Sequence, residues 1–234
     1  LVLKDNLGNI RRGRLRAVRG QVGYKLPSLL KARVGLGPAV RESLFGDDSE
    51  VDALVYAVYA EAVAGRIREG ELARIMEAGG AYSDTVTEAV DALRQIGRAD
   101  AVEDIFIHVD RGIPVRAFSR LSPRVIPVFS WFQAAVVLWT RGRIAPIGVS
   151  EVASECLTAT GLGENAIAGW VQDMTRRGHV SMEDAHALTT SCHGLEPVAP
   201  AIRRALDALG DKPRTLATPT APPLEFLEAV KKLS

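Results

Sequence analysis

The residues with the clearest chemical potential are arginines. The run Arg11-Arg12-x-Arg14-x-Arg16-x-x-Arg19 is dense enough to meet several phosphates, and Gly8, Gly13 and Gly20 would let it follow a polyanion backbone. Each phosphate neutralised normally takes one Lys or Arg. A second basic stretch, residues 111–127, adds Arg116, Arg120 and Arg124 among Pro114, Pro123 and Pro127, without a single acid. Base readout would further need Arg, Lys, Asn or Gln on the exposed half of a helix. Asn165, Gln172, Arg176 and Arg177 offer those groups on one predicted helix.

Catalytic chemistry has much less to work with. The sequence contains no phosphate-binding glycine loop with its lysine, no dinucleotide fingerprint, no nucleophile elbow and no standard zinc-ligand pair. Gly35-Leu36-Gly37 lacks a third glycine and reads as a plain turn. His179, His186, Cys192 and His193 lie close in sequence but at no recognised zinc spacing. Glu103-Asp104 and Glu183-Asp184 read as the turns of solvated hairpins rather than as catalytic acid pairs. The expectation is a protein without enzymatic activity, metal or cofactor.

The elements that would position these groups follow from periodicity and breakers. Residues 49–64 carry Val51, Leu54, Val55, Val58, Tyr59 and Val63 at helical spacing, with Ser49 as a possible cap. Residues 69–78 and 83–96 predict two further helices, with Gly79-Gly80 breaking the first and Gly97 closing the second in a left-handed C′ position. Alternation over 99–109 predicts strand, folded as a hairpin near Glu103-Asp104. The same order recurs as helices over 128–139, 149–160 and 164–177, with His179 to Thr190 as a second wing. Val86, Val90, Leu93 and Gly97 match Ile167, Val171, Met174 and Gly178 at a constant offset of 81 residues.

Helix, short extended piece, helix, turn, helix, β-ribbon is the order of a winged helix-turn-helix. Through Ser150-Glu151-Val152-Ala153, Gly161-Leu162, Glu164 to Met174 and Arg177-Gly178-His179-Val180, the second copy resembles the winged-helix domain of MarR-type regulators. The resemblance implies a mainly α fold with small β-wings in two tandem domains, and DNA binding. It covers about a third of the chain, with a fainter copy at 49–110. It departs from the family at the wing, where Glu183, Asp184 and His186 stand instead of an arginine, and in the first copy, whose exposed face carries Asp84, Thr87, Glu88 and Asp91. Carboxylates there would be repelled by phosphates, so the first copy is not expected to read DNA.

Charge gives the organisation its outline. The net charge of +1 divides into +9 for residues 1–41, −11 for 42–110, +6 for 111–149 and −3 for 150–234. The expected domains are a basic arm (1–41), an acidic winged-helix domain (42–110), a basic linker (111–127), a second winged-helix domain (128–210), and a Pro-rich linker with a C-terminal helix (211–234). Such polarity concerns partners rather than fold. It fits a double-stranded DNA ligand held by the arm and linker. The alternative is a protein–protein scaffold whose arm docks on its own or a neighbour's acidic domain, as a homo-oligomer or with another protein. Trp131, Phe132, Trp139 and Trp170 are expected in the core, an exposed Trp131 pointing instead to a partner surface. Cys156 and Cys192 suit a reducing cytoplasm rather than a disulfide framework. Residues 125–139 are too short and too polar to span a bilayer, and no basic-plus-apolar leader opens the chain, so neither insertion nor secretion is expected.

Overall fold

A computed structural model describes residues 14–48, 51–118, 120–210 and 225–233, with 14–20 and 230–233 as backbone only. The protein is mainly helical with one small sheet, and it divides into two compact units, Leu1–Pro127 with Ala221–Ser234, and Val128–Thr220. No helix among the described residues is long and apolar enough to cross a membrane.

Unit 1 begins with α1 (Arg14–Arg33) and β1 (Glu42–Asp47), followed by α2 (Asp52–Val63), α3 (Glu69–Ala78) and α4 (Ser83–Gln95). Then come β2 (Val102–His108), α5 (Val115–Phe118) and β3 (Val125–Val128). The strand order is β1-β2-β3, and β1 runs parallel to β2, from Glu42 beside Val102 to Asp47 beside His108. Parallel neighbours need a long crossover, and α2, α3 and α4 supply it. The hairpin expected near Glu103-Asp104 is therefore corrected: residues 102–108 form one central strand, with a register shift against β1 at Glu103 and Asp104 buried inside it. Period-two alternation identifies a strand but not its partner, and this partner lies some 60 residues upstream. Gly97 also differs from expectation, since it does not adopt positive φ.

The expected arm is corrected too. Residues 14–33 form a helix whose Val22, Leu26 and Leu30, four residues apart, are buried in the unit 1 core, where α1 packs on α2 and α4. Its bases meet the acidic segment directly: Lys25 with Asp52, Lys31 with Glu88 at 2.6 Å, and Arg33 with Glu42 at 3.2 Å. Arg33 has a fully buried side chain. Its guanidinium donates to Val40 O at 3.0 Å and Gly37 O at 3.2 Å, while Tyr59 Oη donates to Glu42 Oε1 at 2.9 Å. Burial, then the Glu42 charge, hold the Tyr59 phenol far above its ordinary range. Nor are residues 111–127 a linker: Phe118, Val125 and Ile126 are core residues, and Ile105 donates its N–H to Arg124 O. The Pro-rich segment 211–224 lies outside the described residues. After it, α11 (Phe226–Leu233) returns to unit 1, burying Ala229 and packing on α3.

Unit 2 holds α6 (Trp131–Thr140), α7 (Pro146–Thr160), α8 (Glu164–Arg176), α9 (Met182–Ser191) and α10 (Ala199–Asp207). Gly161 ends α7 with φ of 64°, a left-handed turn that costs glycine little. The second wing is corrected to helix α9. Ser181 caps it by accepting the Asp184 N–H at 2.9 Å, and Ala185, Leu188 and Cys192 form its buried stripe. Glu183-Asp184 is thus a first turn, where carboxylates favour the helix dipole. Phe132 is buried and Trp139 and Trp170 half-buried, but Trp131 is 40% exposed, against the core expectation.

Breaking a buried ion pair by removing one partner costs about 3–5 kcal/mol. Arg33→Met should therefore lower the urea stability of unit 1 by about that amount, leaving the half-buried Glu42 without its cation, whereas Tyr59→Phe should cost about 1 kcal/mol. Equal, negligible effects of the two substitutions would contradict this assignment.

Candidate functional site

Open parallel sheets bind ligands outside the carboxyl ends of their strands. Here β1 delivers Asp47 to that edge, alongside His108 of β2 in the pairing register. The next residue, Asp48, is buried and clamps the loop after β2, accepting N–H groups from Asp110 at 2.9 Å and from Arg111 at 3.0 Å. Asp48 in turn donates its own N–H to His108 O at 3.0 Å. The exits of both strands are therefore tied to each other through one carboxylate.

Beneath this edge, Asp52 opens α2 and pairs with Lys25 from α1. Gly46 makes the approach possible: a Cβ there would sit 2.6 Å from Asp52 Oδ2 and 2.9 Å from Tyr56 Cε2. The hydroxyl of Tyr56 donates to Phe45 O at 3.0 Å, fixing α2 against the same strand. The strand exits thus bring together Asp47, Asp48 and His108, while the Lys25–Asp52 pair lies under Gly46, one residue earlier and on the other face of β1 from Asp47. Among the described residues no group of three His, Cys, Asp or Glu side chains is arranged to enclose a metal ion. None of these residues stood out in the sequence as a site. The signal was Leu44-Phe45 running into Gly46-Asp47-Asp48 ahead of a helix, an apolar strand ending in carboxylates.

The arginines and amides singled out in the sequence are dispersed. Arg11 and Arg12 lie outside the described residues, and Arg14, Arg16 and Arg19 fall on the backbone-only part of α1. Arg116 and Arg120 are exposed on the segment between β2 and β3. Arg124 instead reaches Glu61 at 3.2 Å and Asp100 at 2.7 Å, and Arg66 binds the same two carboxylates. Burial alone would raise the Asp100 carboxyl, yet Arg66 and Arg124 together hold it below its usual range.

In unit 2, Asn165 is exposed at the start of α8. Gln172 is spent on the chain itself, donating to Ala205 O. Arg176 and Arg177 both pair with Asp173, at 2.7 and 2.6 Å, and Arg177 also lies over the Phe129 ring. Asp173 accepts a further bond, 3.1 Å, from the buried amide of Gln133, whose oxygen takes the Phe129 N–H. His179, just beyond α8, is pushed down to about 4 by burial, then by Arg177 and Arg141. Burial pushes the Cys192 thiol up to about 11, so it is an inert core thiol.

Against known proteins, the chain matches no family model, no curated protein and no solved structure.

Two outcomes follow from this geometry. Gly46→Ala should destabilise unit 1 by about 1–3 kcal/mol by displacing Asp52 and Tyr56, measured by thermal unfolding; an unchanged midpoint would remove the close-approach argument. His179 is neutral when folded and has a depressed pKa, so the unfolded chain binds its proton first. Its contribution is complete above pH 6.5 and fades as pH falls towards 4, amounting to about 3 kcal/mol. His179→Gln should flatten the stability profile of unit 2 between pH 6.5 and 5.

Proposed function

We propose that unit 1 binds a phosphorylated small molecule as its magnesium complex at the carboxyl edge of β1 and β2, a site suited to phosphoryl-group chemistry. The observation that supports this reading is that two parallel strands end at Asp47 and His108, with the Asp48 clamp beside them and the Lys25–Asp52 pair packed under the preceding residue, Gly46. Magnesium keeps several waters and takes one or two protein carboxylates plus substrate phosphates, so it needs no enclosed protein cage. Asp47 is the carboxylate offered to the ion. Lys25 supplies a cation whose position is fixed by Asp52. Calorimetric titration with a phosphomonoester tests the reading: binding should require magnesium, and Asp47→Asn should abolish that requirement together with most of the affinity. Magnesium-independent binding, unchanged in the variant, would refute it.

A second reading is favoured by a separate observation, the exposure of Arg116, Arg120 and Asn165 and the continuation of the Arg11–Arg19 run into the first turns of α1. In it the protein holds double-stranded DNA through these arginines. The helix-turn-helix part rests on α6 to α8 with the Gly161 turn, without a wing among the described residues. Arg124, Gln172, Arg176 and Arg177 are already engaged within the chain, which limits base readout and leaves phosphate contact. Deleting residues 1–41 is no test, because it removes Val22, Leu26 and Leu30 from the core. Replacing Arg11, Arg12, Arg14 and Arg16 with Gln should instead reduce the salt slope of binding to random duplex by about one per lost phosphate contact; absence of binding at low salt by the unaltered chain would end this reading.

A further inference from the structure

A cavity of about 550 Å³ opens in unit 1 between the end of α2, the start of α3 and the end of α4. It lies a full helix length, about 18 Å along α2, from Asp52 and the carboxyl edge. Its lining includes Gly65, Arg68, Glu69, Gly70, Arg94 and Arg98. Residues 42–110 contain five arginines against sixteen acids, so any arginine there has carboxylates to choose from. Arg66 and Arg94 use them, and Arg74 donates to Gly70 O. Arg68 and Arg98 have no ion pair among the described residues, and both border the cavity. Scarcity of acids does not explain two guanidinium groups at one opening that pair with no described residue.

The backbone around them is shaped to match. Gly65 has φ of +79°, and a Cβ there would lie 2.8 Å from Arg98 Cδ, so the missing side chain lets the arginine stem cross the end of α2. A Cβ on Gly70 would meet nothing within 4 Å, leaving that part of the wall open to a ligand. Arg94 is held by Glu69 at 2.8 Å and Asp91 at 3.0 Å, which occupies the one carboxylate on the rim. The rim therefore presents two positive charges, together with the first amide groups of α3. A polyanion would be repelled by the surrounding −11 segment, whereas a small dianion can be met by two guanidinium groups that border one opening.

We propose that this cavity is a metal-independent binding site for a phosphate-bearing small molecule, held by Arg68 and Arg98. It is separate from the magnesium-dependent edge, and its test is chosen to keep the two apart. The intact chain is titrated with inorganic phosphate in the presence of a chelator, following the Gly65 and Gly70 amide resonances and the heat of binding. Saturable binding should shift both amides, weaken at least tenfold in Arg68→Gln/Arg98→Gln, and persist in Arg74→Gln and Asp47→Asn. Gly70→Glu, which brings a carboxylate to the open wall, should also abolish it and serves as an independent variant if the double substitution unfolds. Absence of saturable binding, equal affinity in the double variant, or loss in Asp47→Asn would each overturn the assignment.

Discussion

The guanidinium of Arg33 is the interaction on which unit 1 depends. It is wholly buried, and it joins the end of α1, the turn after it, the start of β1 through Glu42 and, through Tyr59, the middle of α2. An isolated charge in such surroundings would cost many kcal/mol, so every one of these partners must be in place together. That requirement fixes α1 as part of the core and sets where β1 begins. Once β1 is anchored there, its pairing with β2 brings Asp47 and Asp48 to the far end of the strand.

The same principle runs along the acidic segment. Its carboxylates do not form a featureless field, because several are met by cations from outside the segment, Lys25 on Asp52, Lys31 on Glu88 and Arg124 on Asp100, and others by its own Arg66 and Arg94. Exposed members of this set contribute little each. Lys25–Asp52 differs because Asp52 is buried and pressed against a glycine of the strand. Unit 2 repeats the logic on a smaller scale, with Asp173 gathering Arg176, Arg177 and Gln133. Opposed charge blocks therefore report chiefly on internal docking, and an arginine left out of it, such as Arg68 or Arg98, becomes informative.

Helices were legible wherever apolar residues kept a helical period between clear breakers: the 69–78, 83–96 and 164–177 predictions correspond closely to α3, α4 and α8. The strand at 102–108 was legible as a strand, from Val102, Ile105 and Ile107. Its pairing with a strand far upstream rather than within a hairpin was not legible, because alternation is identical for a strand that turns back and one that pairs with a distant segment. Ser181-x-x-Asp184 is a helix-capping pattern, and weighing it above the wing analogy would have given α9 its correct form. Of the candidate site, arginine spacing drew attention to residues that ion pairs later claimed, while Gly46-Asp47-Asp48 passed unnoticed for want of a known strand before it.

The amino-acid sequence by itself determined a helix-rich chain in two parts, a polarised charge distribution and the positions of most helices, since these depend on neighbours within a few turns. Only the tertiary structure decided that β1 and β2 are parallel, that the basic first helix belongs to the core, and that Lys25 meets Asp52 beneath the strand that ends at Asp47. Those outcomes depend on contacts between residues 27 to some 60 positions apart, which no local pattern encodes.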